Sequence, residues 1–186
     1  MHVPGLRTRQ LLLRPPRLTD AVALHATISN PQACRFLPIG PSPGLDVTRD
    51  YVARCQREAA ERDTLTWLLS PQDAPDDICG LVQAQGRTNR FDVGFLLHPD
   101  AWGQGWMAEA LLVVLDWMER QDDSRVAQAI CDVDNLAATR MLSKAGFSVA
   151  EIRRAFRVHP ACGPSPRDCA VHLKALRETR RGPQKV

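Results

Sequence analysis

Residues 93–112, VGFLLHPDAWGQGWMAEALL, constrain this chain more than any other stretch. An apolar run stops at a proline, two glycines follow one residue apart, and a second apolar run begins at helical spacing. Such a segment predicts a strand, a tight turn and a helix. Glycines at the mouth of a helix leave backbone N–H groups uncovered. The helix end adds partial positive charge, so the junction suits an anion such as a pyrophosphate. It is not the Gly-Lys-Ser/Thr type of phosphate loop, because no lysine follows the second glycine. Nor is it a dinucleotide fingerprint, since Ala108 stands where the third glycine would. A tight turn that merely closes onto a core helix is the competing reading of the same residues.

Around this junction the periodicity predicts a mixed α/β domain. RQLLLR (9–14) reads as a short strand ended by Pro15-Pro16, and Thr19 as the N-cap of a helix through about Ser29. Residues 30–44 are rich in proline and glycine and read as a long loop. A second helix starts at Asp46 or Thr48, with Val47, Tyr51, Val52 and Cys55 on one face. Segments 64–70 and 78–85 predict an antiparallel pair, and 90–99 a third strand ending at Pro99. Residues 106–121 follow as a helix, 126–133 as a strand and 135–146 as a helix capped by Asp134 or Asn135 and stopped by Gly146. Strands at 147–159 and 167–176 close the chain. The expectation is a mixed, mostly antiparallel sheet of six or seven strands flanked by about four helices. It forms one domain over 1–175, followed by a basic tail over 176–186.

Composition narrows the classes. A net charge of +3 with acids and bases intermixed leaves no basic stripe for nucleic acid. No apolar run reaches the length of a membrane span and the first residues lack a signal-peptide core, so a cytoplasmic protein is expected. Its six cysteines, none in a CxxC pair, then read as reduced thiols. HPAC (159–162) and CAVH (169–172) contain ligand types that zinc takes. On a strand, however, residues three apart point to opposite faces, so no metal is expected.

Downstream of the glycine turn, CDVDNLAATRMLSKAGF (131–147) places Asn135 at a strand-to-helix turn and returns the chain through Gly146-Phe147. Together the two segments resemble the GCN5-related N-acetyltransferase (GNAT) superfamily. The glycine turn is similar to its pyrophosphate loop, (Q/R)xxGx(G/A), and 135–147 to its segment NxxSxxxLxxxGF. TRQLLLRPPRLTDAVAL, TWLLS with ICGLV, and DVGFLLHPDAWGQGWMAEAL resemble the Rim-type branch, whose members acetylate ribosomal-protein N-termini. The resemblance runs in order from Leu6 to about Leu173.

The resemblance implies an acetyl-CoA-dependent N-acetyltransferase acting on a protein N-terminus or a small amine. A non-catalytic acyl-CoA sensor and an aminoglycoside- or polyamine-type enzyme remain open, as does a homodimer. It further implies that backbone groups of Trp102, Gly103, Gln104, Gly105, Trp106, Met107 and Ala108 hold the pyrophosphate. Strand residues Phe95, Leu96 and Leu97, splayed from 126–133, would pair with the pantetheine arm, and Asn135 would meet the cofactor nearby. The chain departs from the pattern slightly at Trp102, where glutamine or arginine is usual although Rim-type members commonly carry tryptophan, and in three further places. Met107 occupies a position that is usually small, which would narrow the space for the diphosphate. Ala138 replaces the family's serine, and Leu142 replaces the tyrosine that other members carry. Either hydroxyl would serve as general acid. Asp92, at the start of its strand where distant members carry a glutamate, is the candidate base. Glu109 is a weaker one, better suited to anchoring loops. Cys131 reads as an inert buried thiol.

Overall fold

In a computed structural model we describe residues 3–61, 63–87, 90–120 and 126–176. Eight strands form one sheet: β1 Leu6–Arg7, β2 Leu11–Arg14, β3 Thr64–Pro71, β4 Gly80–Arg87, β5 Arg90–Leu97, β6 Val126–Asp132, β7 Ser148–Arg157 and β8 Arg167–Ala175. Their spatial order is β1-β2-β3-β4-β5-β6-β8-β7. All neighbours are antiparallel except β5 and β6, which run parallel. The helices are α1 Ala21–Ile28, α2 Leu45–Glu61, α3 Trp106–Glu119 and α4 Leu136–Lys144. The sheet exceeds the expected six or seven strands because Leu6–Arg7, two residues long, adds an edge to Leu12–Leu13.

Strand alternation sorts the core into two layers. Leu65, Trp67 and Leu69 of β3, with Val82, Ala84 and Val93, point to one face and pack under Leu111, Val114, Leu115 and Met118 of α3 and Leu142 of α4. Leu68, Leu81 and Leu96 point to the other, where Leu24 of α1 and Val52 of α2 cover them.

Some local expectations need correcting. Thr19 is not a cap: residues Leu18–Asp20 form a 3-10 turn ahead of α1. Asp20 is committed there, accepting the Arg17 N–H at 2.7 Å and a two-pronged Arg14 guanidinium at 2.6 and 2.8 Å. In α2 the helix opens at Leu45, and the Gly44 carbonyl receives the Thr48 N–H. Thr48 is buried and hydrogen-bonds His25 Nδ1 at 2.7 Å, whereas Val47 is 43% exposed and lies off the packed face. The tail from Arg177 onward lies outside the described residues.

Candidate active site

The parallel contact between β5 and β6 is short. It joins Arg90 to Val126, Phe91 to Ala127 and Asp92 to Gln128, and then the strands part. From Val93 to Leu97, β5 is laddered to β4 on one side only, and β6 from Ala129 onward is laddered only to β8. Two rows of backbone hydrogen-bonding groups therefore line a V-shaped gap, a ready partner for an extended ligand bearing amides. Part of this edge is already used. The Leu97 carbonyl accepts the indole N–H of Trp102 at 2.9 Å, which lays a half-exposed ring across the strand end.

Beyond β5 the chain makes a 3-10 turn, Pro99–Ala101, and enters α3 through two left-handed glycines, Gly103 at φ 78° and Gly105 at φ 77°. Only residues without a Cβ take this conformation cheaply. A Cβ built on either glycine would meet no atom within 4 Å, so the turn opens onto space rather than onto the core. The first N–H that bonds back into the helix is that of Glu109, to Gly105 at 3.2 Å. Among the described residues the N–H groups from Gly103 to Ala108 have no backbone acceptor, and they cluster at the positive end of a 14-residue helix. The Trp102 N–H is not among them, because it is bound to the Pro99 carbonyl at 2.9 Å. The expected seven-residue donor run is thus six residues long. The Met107 side chain, expected to crowd the turn, is 7% exposed and sits in the core under α3, leaving its N–H side clear.

Asn135 caps α4: its side-chain oxygen accepts the Ala138 N–H at 3.1 Å. That fixes the amide so that its two N–H donors remain for a partner. Ala138 and Leu142 are buried core residues, and Tyr51, the chain's single tyrosine, packs on the opposite face against α1 and β3. No hydroxyl stands at the family's two acid positions.

The acidic candidates fall in different settings. Asp92 lies at the closed tip of the V. Its carboxylate takes Arg90 Nε at 3.1 Å and Gln128 Nε2 at 3.0 Å, with Arg87 Nε at 3.5 Å. Glu109 points to the other side of the sheet plane, where it accepts the Gln10 N–H at 3.1 Å and the Gln10 amide at 3.0 Å. Gln10 in turn receives the Trp106 indole N–H at 3.2 Å, so the first hairpin is tied to the head of α3. Partial burial would push Glu109 up, but hydrogen bonds from Thr8, Gln10 and the Arg9 backbone outweigh it and hold the carboxyl below its ordinary range. Cys131 is 9% exposed, and burial pushes its thiol up to about 12, a setting that keeps it protonated and unreactive.

Three residues that the sequence did not single out for this chemistry gather at the open end of β6. Asp132 is fully buried and bound to Arg167, and His159 lies against both Asp132 and Cys169. In the sequence His159 and Cys169 stand out only as residue types that zinc takes. Their companions in that pattern are elsewhere: Cys162 donates to the Arg35 carbonyl at 3.1 Å, and His172 pairs with Ala129 on the α3 side of the sheet. A shallow hollow of about 460 Å³, lined by Arg9, Glu109 and Leu112 among others, flanks α3 and includes none of the gap residues. We assign it no role.

A mixed sheet opened between two parallel strands, with a glycine turn and a helix head at the mouth of the opening, defines an acyl-CoA N-acyltransferase architecture. The chain matches the Acetyltransferase (GNAT) domain over residues 10–148 and belongs to that family. It is 24% identical over 156 residues to the uncharacterised N-acetyltransferase YoaA of Bacillus subtilis (strain 168), covering 82% of this chain and 88% of that protein. RimL, a ribosomal L7/L12 α-N-protein acetyltransferase solved with coenzyme A, superposes with a TM-score of 0.81 at 18% identity over 95% of this chain and 98% of its own. The microcin C7 self-immunity acetyltransferase MccE, solved with acetyl-CoA and AMP, gives 0.79 at 14% over 90% and 93%. At such identities the likeness of the solved structures is one of fold. Among the described residues no helix is long and apolar enough to cross a membrane.

Proposed function

We propose that this protein transfers the acetyl group of acetyl-CoA to a primary amine by direct attack of the amine. One observation carries the reading: six consecutive backbone N–H groups without backbone acceptors, Gly103 to Ala108, stand at the head of α3 beside the unladdered edge of β5. Bound there, the cofactor supplies an activated acetyl thioester.

The chain's own groups divide the remaining work. The glycine turn and the α3 dipole hold the diphosphate, with the Gln104 side chain at its rim. The edge at Val93 and Phe95, whose backbone groups face away from β4 while those of Leu96 are spent on it, orients the pantetheine amides, and Asn135 donates across the gap. Fixing the thioester against this edge turns the attack into a step between oriented partners, the largest contribution that such a site can make without an acid. Asp92 has its carboxylate oxygens engaged by Arg90, Arg87 and Gln128 at the tip of the V. With its oxygens so engaged Asp92 suits orientation of the strand ends, and Glu109, bonded to Gln10, serves as an anchor. The family membership and the cofactors held by RimL and MccE support the donor assignment. The acceptor is a protein N-terminus or a small amine. A polycationic amine fits less well, because the acids nearest the gap, Asp92 and Asp132, are already neutralised by arginines.

Ala138 and Leu142, both buried, favour a second reading, a domain that binds acyl-CoA without turning it over. Two measurements separate the readings. Calorimetry with acetyl-CoA tests the donor site, and free-thiol release over a panel of peptides and small amines tests transfer. Binding without thiol release on any acceptor supports the sensor, and steady release with one of them removes it.

A further inference from the structure

The proposed reaction needs a group that takes the proton from the attacking amine, and the open end of β6 supplies an arrangement suited to it. Asp132 is fully buried and accepts Arg167 Nε at 2.6 Å and the Asp134 N–H at 2.9 Å. His159, 2% exposed, sits over it with Nε2 3.5 Å from Asp132 Oδ2 and 3.7 Å from Cys169 Sγ. The other ring nitrogen, Nδ1, is buried and has no hydrogen-bond partner. Four buried side-chain polar atoms among the described residues lack a partner, and of these only His159 Nδ1 belongs to a ring set against a buried carboxylate.

Its place in the fold fits that role. By alternation Asp132 lies on the same face of β6 as Gln128, the face that looks toward α1 and α2. The β7–β8 loop carrying His159 is joined to the loop before α2, with Cys162 bonded to the Arg35 carbonyl at 3.1 Å and Pro160 4.0 Å from a Cβ built on Gly40. His159 thus sits over the end of β6 that lies beyond its short contact with β5, in a loop tied to the one between α1 and α2.

We propose that His159, oriented by Asp132, accepts the proton of the acceptor amine, directly or across one water. This rests on the acetyl-transfer reading above. A lone pair on Nε2 facing a carboxylate would be repelled, so Nε2 carries the ring hydrogen and Nδ1 presents the basic lone pair. As the amine nitrogen bonds to the acetyl carbon, its proton passes to Nδ1. The C–S bond breaks, the sulfur keeps the pair, and the thiolate takes a proton back from the imidazolium or from water. Asp132 stabilises the imidazolium, and Arg167 holds Asp132 in place. The groups against the ring are Asp132 of β6 and Cys169 of β8; Arg167 and, beside it, Asp134 lie behind Asp132, and Arg157 acts on Cys169.

Nitrogen NMR of histidines in the full chain without ligand is expected to show His159 protonated on Nε2 and bare on Nδ1, a bias that Asp132→Asn reduces. A hydrogen on Nδ1 in the wild type overturns the proposal. Kinetics use acetyl-CoA with two probes, a short peptide with a free α-amino group and a simple alkylamine. With the acceptor that reacts, His159→Gln should lower kcat by roughly 100-fold, flatten its rising limb with pH and leave KM for acetyl-CoA unchanged. An active wild type whose His159→Gln variant keeps its rate and pH profile removes His159 alone. A wild type that binds acetyl-CoA yet releases no thiol with either probe removes the acetyl-transfer reading for them, and this proposal with it. Should His159→Gln fail to fold, the wild-type NMR result decides.

Discussion

The two faces of the sheet are built from different materials. On the α3 and α4 face, Trp67, Leu111, Leu115, Met118 and Leu142 are fully buried, and Trp67 meets Trp117 edge-on at 5.5 Å between ring centroids. On the α1 and α2 face, Thr66, Ser70, Gln128 and Asp132 are buried among fewer apolar side chains. The first face supports the glycine turn and its helix, where the proposed donor seat is made of backbone atoms. A seat made of backbone tolerates changes of side chain, consistent with a fold that superposes closely on solved structures at 14–18% identity. On the second face the proposed acceptor chemistry rests on side chains, Asp132 among them.

Breaking the apolar face should have the largest effect on stability. Trp67→Ala removes a fully buried indole and its hydrogen bond to the Pro4 carbonyl at 3.0 Å, and should cost about 3–5 kcal/mol in chemical denaturation. Gly105→Val strikes the seat instead. A β-branched residue at φ 77° should cost about 1–2 kcal/mol, and its side chain enters the space above the turn. Acetyl-CoA affinity should fall at least about tenfold, and unchanged affinity by calorimetry would refute the loop assignment.

Acid should loosen the polar face selectively. Burial pushes the Asp132 carboxyl up, but Arg167 and the Asp134 N–H outweigh it and hold the group below its ordinary range. Asp20 is likewise pushed up by burial and held low by Arg14 and the Arg17 N–H. Groups depressed in the folded state stabilise fully above the unfolded value of about 3.9, and that stabilisation fades as pH falls through the folded value. Denaturation midpoints should therefore drop below about pH 4, and less steeply in Asp132→Asn; parallel curves would show that Asp132 is not the linked group.

Glu109→Ala should free the first hairpin from α3 for about 1 kcal/mol and change turnover by no more than a few-fold. A loss of activity far beyond the loss of stability would return Glu109 to the list of bases. Asp92→Asn weakens partly exposed ion pairs worth at most about 1 kcal/mol. A large fall in kcat with intact cofactor binding would show that Asp92 does chemistry as well as orientation.

Much of this was legible in the residues. Apolar periodicity located all four helices and every strand longer than two residues, and the glycine pair marked the turn into α3, because both signals are local. Local signals also misled where a long-range contact won. Thr19 looks like a cap, yet Asp20 is drawn away to Arg14; Met107 looks obstructive, yet it turns into the core. The Leu6–Arg7 edge strand is too short to leave a pattern.

The donor entered through the family resemblance, while by itself the sequence determined the mixed sheet and the strand–glycine–helix junction. These depend on backbone freedom, periodicity and helix dipoles, which neighbouring residues dictate. Only the tertiary structure decided that the Trp102 N–H is spent on Pro99, that β5 and β6 part after Asp92, and that His159 meets Asp132 from 27 residues away. Such meetings depend on which strands become neighbours, and no local pattern in HPAC or CDVDN encodes that.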